Sequence, residues 1–183
     1  MTIRRNIAAA HNFPFFPFAL PMTTSPALSE DKHRIYRVKN SPIHGRGVFA
    51  TRKIRAGELI LEYLGEHITY EQACEDLAAR EDDSHHTFLF SLENGNMIDG
   101  GRNGNDARYI NHCCEPNCEA REEDSRIFIH ALGDIARGEE LNFDYGLVLD
   151  ARYTVALKRA YACRCGKPGC RQTMLAPKAR KRR

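Results

Sequence analysis

No apolar run in this 183-residue chain approaches the roughly 18 residues that a bilayer-crossing helix needs. The most apolar N-terminal piece, residues 13–21, is broken by Pro14, Pro17 and Pro21 and lacks a small-residue cleavage pattern. Despite Arg4 and Arg5, it reads as a loosely attached arm and not as a secretory leader. Strong overall charge is absent too: the formal net charge is +3, so the surface as a whole does not demand a nucleic-acid partner. No internal repeat is visible, which removes solenoid and propeller architectures. The cysteine count, seven, is odd and ill suited to a closed disulfide framework.

What is present suits one compact domain with tails: 42% apolar residues over a length typical of a single domain. Six of the cysteines form two tight groups, Cys113, Cys114 and Cys118, then Cys163, Cys165 and Cys170. Thiols that close in sequence rarely meet disulfide geometry but suit thiolate ligation of a metal, which implies a reducing, intracellular setting. Cys74 stands alone in a helical pattern and reads as a small core residue. The chain closes on Lys178-Ala179-Arg180-Lys181-Arg182-Arg183, five cations in six residues. A solvated tail accounts for that run as well as a nuclear-localisation-like patch or an arm drawn to nucleic acid.

Residues 1–31 lack periodicity and are rich in Pro, Ser and Thr, so structure is expected to begin near Ile35. A glycine-punctuated turn over 41–47 should enter a strand, followed by strands at 58–64, 87–92, 97–99 and 126–131. Asn94-Gly95 is a strong hairpin signal. Thr69-Tyr70-Glu71-Gln72 fits a capping box opening a short helix that ends before Glu81-Asp82-Asp83. A second helix is expected over 152–161. Many short strands with frequent turns and few helices make a β-rich domain.

Two dense polar-aromatic segments carry the chemistry: Arg108-Tyr109-Ile110-Asn111-His112-Cys113-Cys114-Glu115-Pro116-Asn117-Cys118 and Glu140-Leu141-Asn142-Phe143-Asp144-Tyr145-Gly146. In this order, with Cys163-x-Cys165-x4-Cys170 behind them, they closely resemble the signature motifs of the SET-domain protein lysine methyltransferases with a zinc-binding post-SET segment. The resemblance spans about residues 36–171. It implies a fold of small sheets around a knot-like core, divided as an arm (1–31), SET domain (32–147), post-SET zinc segment (148–175) and basic tail (176–183). It also implies methyl transfer from S-adenosylmethionine to a lysine side-chain amine of a basic protein tail, in the first place a histone.

The same resemblance assigns roles. Tyr145 is the catalytic tyrosine, Tyr63 a second tyrosine of the lysine channel, and Phe143 occupies the Phe/Tyr position that sets how many methyl groups are added. Arg46, Gly47, Phe88, Arg108, Asn111 and His112 match the cofactor-contacting positions, Phe88 standing where many relatives have Tyr. Phe143 lacks a hydroxyl to hold water against the amine, which implies di- or trimethylation. Zinc wants four ligands, and the family pattern adds Cys114 to Cys163, Cys165 and Cys170. Relatives usually have Ser at Cys113, and Cys113 and Cys118 are the other thiols open for that fourth place. Apart from the resemblance, a strand-end tyrosine packs in a core and a lone histidine is a hydrogen-bonded structural residue, the reading given to His85, His86 and His130.

No cysteine-dense segment precedes the domain and no chromatin-reading module is recognised, so substrate choice falls to the channel, the helix-bearing insert (about 70–86) and the tails. Acidic runs at Glu81-Asp82-Asp83 and Glu122-Glu123-Asp124 could attract a basic tail, or be solvated loops. Two other function classes remain open: an inactive zinc-bearing interaction module of the same fold, and a zinc-stabilised nucleic-acid binder working through its basic tail. No membrane partner is expected, nor direct nucleic-acid binding beyond that tail. Nuclear chromatin and cytoplasm are equally compatible settings, and the pattern is silent on oligomeric state.

Overall fold

The computed structural model of the protein describes residues 34–79 and 87–178. The arm over 1–31, the acidic run Glu81-Asp82-Asp83, His85, His86 and the tail from residue 179 lie outside the described residues. Among the described residues the strands are β1 (Tyr36–Asn40), β2 (Arg46–Ala50), β3 (Leu59–Tyr63), β4 (Glu66–Ile68), β5 (Leu89–Ser91), β6 (Met97–Asp99), β7 (Asn111–His112), β8 (Cys118–Glu123), β9 (Arg126–Ala131) and β10 (Glu140–Phe143). Two short helices join them, α1 (Tyr70–Ala78) and α2 (Val155–Ala160), with a 3-10 turn at Asp106–Tyr109. The strands make three small sheets, ordered β1-β2-β10-β7, β3-β9-β8 and β4-β6-β5. This is the β-rich architecture that the turn-punctuated pattern predicts.

The core forms where strand periodicity points. In β9, Ile127, Ile129 and Ala131 face inward in strict alternation, as expected of a half-buried strand. A register shift between Leu59 and Leu61 in β3 lets Ile60 and Leu61, neighbours in sequence, both be buried. Val48, Ile54, Ile110, Ile135, Leu141 and Phe143 also belong to the main cluster. A smaller cluster, Ile68, Ala73 and Met97, seats α1 on the β4-β6-β5 sheet, and a third, Leu149, Tyr161 and Leu175, holds the C-terminal segment together.

Local signals fare well. The capping box at α1 is formed, with Thr69 Oγ1 accepting from Gln72 N at 3.2 Å and Gln72 Oε1 from Thr69 N at 2.9 Å. Gly95 turns with φ +89° at the expected hairpin. The strand expected over 87–92 is shorter, Leu89–Ser91, and the helix expected over 152–161 begins after an N-cap at Thr154. Five strands, β1, β4, β7, β8 and β10, escape the sequence pattern. β4 has only three residues and one buried side chain, too short for a period to register. The β8–β9 hairpin turns on Asp124 and Ser125, at φ +50° and +60°, without the Asn-Gly that normally advertises such a turn. Glu122, part of an expected acidic patch, instead accepts the Glu93 backbone N–H at 2.9 Å, and burial raises its pKa.

The loop between β6 and the 3-10 turn is drawn in tightly: a β-carbon on Gly104 would lie 2.0 Å from the Gly100 carbonyl oxygen. Since the obstacle is backbone, Gly104→Ala should destabilise the fold by about 1–3 kcal/mol. Gly133→Ala, in open space, is the control. Thermal unfolding of the two variants checks this; equal midpoints would refute the constraint.

Candidate active site and cysteine cluster

The two signature segments lie against each other as parallel strands, Asn142 opposite Asn111 and Phe143 opposite His112. The buried Asn111 amide works as a clamp. Its Nδ2 donates to the Arg46 carbonyl at 2.9 Å, the His44 carbonyl at 3.2 Å and Glu140 Oε1 at 2.9 Å. Glu140 Oε1 also accepts from Ser41 Oγ at 2.7 Å, so one carboxylate closes the 41–47 turn onto both signatures. Gly47 is required there for space, because an added β-carbon would sit 2.3 Å from that same oxygen. Arg46, Gly47, Asn111 and His112, expected to contact the cofactor, are therefore brought together.

Beside them runs a row of aromatic rings. Ring centroids are 5.3 Å apart for Tyr63 and Phe90, 6.2 Å for Phe90 and Phe143, 5.1 Å for Phe143 and Tyr145, and 5.3 Å for Tyr145 and His112. The Tyr145 hydroxyl donates to the Ile110 carbonyl at 2.9 Å and the Tyr63 hydroxyl to the Phe88 carbonyl at 2.7 Å. Each phenol proton is thereby directed at a backbone oxygen, and the phenol oxygen presents lone pairs to an incoming donor. The three residues expected in the channel thus belong to one aromatic row, with Tyr63 and Phe143 buried and Tyr145 half-buried.

His112 is 4% exposed, and its Nδ1 accepts the Tyr145 backbone N–H at 3.0 Å. That bond leaves Nε2 as the N–H donor, 3.4 Å from Cys114 Sγ. Burial depresses its pKa to about 4, outweighing the nearby Asp144 carboxylate, while Arg171 adds to the depression. A neutral imidazole thus bridges the tyrosine and the cysteine group.

Phe88 and Arg108 meet in a second cluster around Tyr109. The guanidinium carbons of Arg46 and Arg108 lie 4.4 and 4.8 Å from the Tyr109 ring centre, and Phe88 stands edge-on to it at 6.2 Å. Arg108 also bonds the Tyr109 hydroxyl and the Gly100 carbonyl, yet its Nε is buried with no partner. An orphaned cationic donor beside a 40%-exposed Phe88 suits an anionic group of a bound ligand. Asn105, unremarked in the sequence, positions this cluster. It caps the 3-10 turn through the Ala107 N–H and donates to the Glu62 carbonyl at 2.8 Å, next to Tyr63.

Cys114, Cys163, Cys165 and Cys170 converge, all four sulfurs lying within 4.8 Å of one another. Cys114 Sγ is 3.6 Å from Cys163 Sγ and 4.0 Å from Cys170 Sγ. A tetrahedral zinc site with Zn–S bonds of about 2.3 Å has edges of about 3.8 Å, so four thiolates here fit that ion. Backbone N–H groups of Arg171, Gln172 and Cys165 point at Cys114, Cys170 and Cys163 sulfurs, each at 3.4 Å, as suits thiolate acceptors. At Cys165, burial is overcome by hydrogen bonds from the Cys114 and Lys167 backbone and the neighbouring thiols, bringing its pKa down to about 6. The other two candidates stay out of the group, Cys113 although it neighbours Cys165. Cys113 bonds the Glu115 carbonyl and Cys118 is in the main core, and burial pushes their pKa values up to about 11 and about 12.

Asp144 and Arg171 were also silent in the sequence. Their 2.8 Å ion pair ties the residue before Tyr145 to the C-terminal segment, and the Arg171 guanidinium holds the Asp144 carboxylate below its ordinary range against the cost of burial. His130, expected to be structural, lies with Nδ1 3.4 Å from the Gly57 carbonyl. No helix among the described residues is long and apolar enough to cross a membrane.

Comparison with known proteins gives this geometry its relatives. The chain is 35% identical over 162 residues to histone-lysine N-methyltransferase trithorax of Drosophila melanogaster, covering 85% of this chain and 4% of that protein. It is 36% identical over 137 residues to the H3 lysine-4 specific histone-lysine N-methyltransferase of Mycosarcoma maydis (72% and 9%). Over 132 residues it is 38% identical to the H3 lysine-36 specific enzyme of Homo sapiens (69% and 5%). The chain thus spans less than a tenth of the length of these relatives. A solved structure of ctPRC2 in an autoinhibited conformation bound to S-adenosylmethionine superimposes with TM-score 0.57 at 33% identity, over 62% of this chain and 15% of that one. Residues 45–146, which hold both signature segments, match the SET domain model, and the chain belongs to the SET domain family.

Proposed function

We propose that this protein is an S-adenosylmethionine-dependent protein-lysine N-methyltransferase acting on a basic protein tail such as a histone's. The observation that carries the reading is the place of Tyr145, its ring 5.3 Å from His112 and 5.1 Å from Phe143 at the junction of the two signature segments. The names of the relatives and the cofactor-bound neighbour support it. The cysteine group, which needs reducing conditions, favours an intracellular setting, at chromatin in a nucleus or in a cytoplasm.

A lysine must lose its proton to act as a nucleophile, and at an ordinary pKa of about 10.4 under about 1% is neutral near pH 8. An apolar, aromatic-walled channel with no carboxylate among Tyr63, Phe90, Phe143 and Tyr145 favours the neutral amine through desolvation. When bound, S-adenosylmethionine supplies an electrophilic methyl carbon on a sulfonium. Residues 44–47, Asn111, His112, Arg108 and Phe88 are the groups placed to hold it, Arg108 with an unsatisfied donor. The Tyr145 oxygen, its proton given to Ile110, accepts a hydrogen bond from the amine and aligns its lone pair. Phe143 offers no hydroxyl to anchor water, which leaves room for a methylated amine to turn and permits di- or trimethylation. Zinc at Cys114, Cys163, Cys165 and Cys170 would fasten residues 148–175 onto the domain as a structural closure beside Tyr145.

Cofactor binding by calorimetry, followed by transfer of labelled methyl to a histone mixture, tests the whole reading; binding without transfer would leave an interaction module instead. Tyr145→Phe should lower kcat by about 10²-fold or more while the chain stays folded, its midpoint lowered only by the lost bond to the Ile110 carbonyl, and undiminished turnover would remove that assignment. Cys165→Ser, or chelation, should release about one zinc per chain by elemental analysis and suppress transfer; a zinc-free, fully active protein refutes the metal's role. Phe143→Tyr should move the product toward monomethyl-lysine by mass spectrometry, and an unchanged distribution would count against the switch.

A further inference from the structure

The chain's small net charge hides a division. Residues 147–183 contain eleven Lys and Arg and a single acidic residue, Asp150, whereas residues 1–146 contain sixteen cations and twenty-three acids. The +3 total is therefore an acidic body bearing a strongly basic end, and that end begins well before the terminal run. Arg152, Lys158 and Arg159 on and before α2, Arg164 and Lys167 in the cysteine loops, and Lys178 are all solvent-exposed.

Few of these cations meet a carboxylate, although Lys178 donates to the Ala151 carbonyl and lies over the Tyr153 ring. Among the described residues, Arg34, Arg52, Lys53, Arg102, Arg121 and Arg126 of the body pair with carboxylates, but in 147–178 only Arg171 does. No residue of α2 is buried. A cleft of about 360 Å³ on this segment is lined by Lys158, Arg171 and Lys178 with Tyr153, and by no acidic side chain. The clustered thiols offset part of this charge, but the exposed Arg152, Lys158, Arg159 and Lys178 pair with no carboxylate among the described residues, and like charges gathered this way suit an anionic partner.

We propose that residues 147–178 form a docking face for duplex DNA, which holds a DNA-bound basic protein at the methyl-transfer site; the second half of that statement rests on the proposed function. The cations are spread over three stretches of chain instead of converging on one pocket, which fits a linear lattice of phosphates better than a single small anion. A basic protein tail would be repelled by this face and drawn to the acidic body, so the two partners sort to different surfaces. An anionic membrane fits poorly, since Val155 is the only large apolar side chain exposed among the described residues of the segment and offers nothing like an inserting stripe. Arg171 joins this face to Asp144, next to Tyr145, which sets DNA docked here beside the candidate channel.

The test is fluorescence anisotropy of the full chain with a duplex of about 30 base pairs across a salt series. The variant Lys158→Gln/Arg159→Gln/Arg164→Gln should bind about tenfold or more weakly at fixed salt, with the slope of log K against log salt shallower by about 0.9 for each phosphate no longer neutralised. Its zinc content and its transfer to a free histone peptide should stay at the parent level. Should that variant not fold, Lys158→Gln/Arg159→Gln on exposed α2 serves in its place. The parallel variant Arg180→Gln/Lys181→Gln/Arg182→Gln/Arg183→Gln should keep the larger share of binding. Weakening confined to the tail variant, no binding by the parent chain, or tighter binding to anionic vesicles or single-stranded RNA than to the duplex overturns the proposal. DNA binding without any peptide methylation supports the docking face and overturns the enzymatic reading alone; methylation without DNA binding does the reverse.

Discussion

The arrangement turns on one amide. Asn111 sits on a two-residue strand, too short to hold itself by backbone pairing, and its side chain bonds two carbonyls of the 41–47 turn and the Glu140 carboxylate at once. Those bonds bring together three parts of the chain far apart in sequence. Because Glu140 opens β10, fixing its head also sets where Phe143 and Tyr145 emerge at its other end. An amide suits the post because its two N–H groups, one of them shared, serve three acceptors while remaining uncharged in a buried place; a Lys there would bring an ion that needs pairing.

The neutral His112 is the second joint. It accepts from the Tyr145 backbone on one side and faces Cys114 on the other, with Asp144 and Arg171 spanning the same gap by an ion pair. Packing of the aromatic row and assembly of the thiol group are therefore not independent events. The C-terminal segment contributes little core of its own, a cluster of three buried residues, so its position depends on the sulfur group and that ion pair.

Much of this was legible in the chain and some was not, for identifiable reasons. The strands with alternating apolar residues, the Thr69 cap and the Gly95 turn are local facts written in adjacent residues. The convergence of Tyr63, Phe143, Tyr145, Asn111 and His112 came from likeness to a family and could not be read from periodicity. β4 and the Asp124-Ser125 hairpin escaped because three residues cannot display a period and because two non-glycine residues adopted a left-handed turn. Asn105, Glu140, Asp144 and Arg171 were invisible as functional residues because their work is positional: each matters through a partner at least twenty-seven residues away, as Asp144 does through Arg171. The choice of Cys114 over Cys113 and Cys118 was likewise a matter of which thiol faces outward from the core.

That choice limits how the molecule could be recombined. Three of the four clustered sulfurs lie within eight consecutive positions and resemble a portable cassette, but the fourth is embedded inside the first signature segment. Transplanting the C-terminal stretch into a relative would carry only three of the four clustered thiols unless the recipient displayed a cysteine at the matching spot, at the matching angle. Chimaeras should therefore succeed only between parents that share this cysteine, and the exchangeable unit is larger than the sequence spacing suggests.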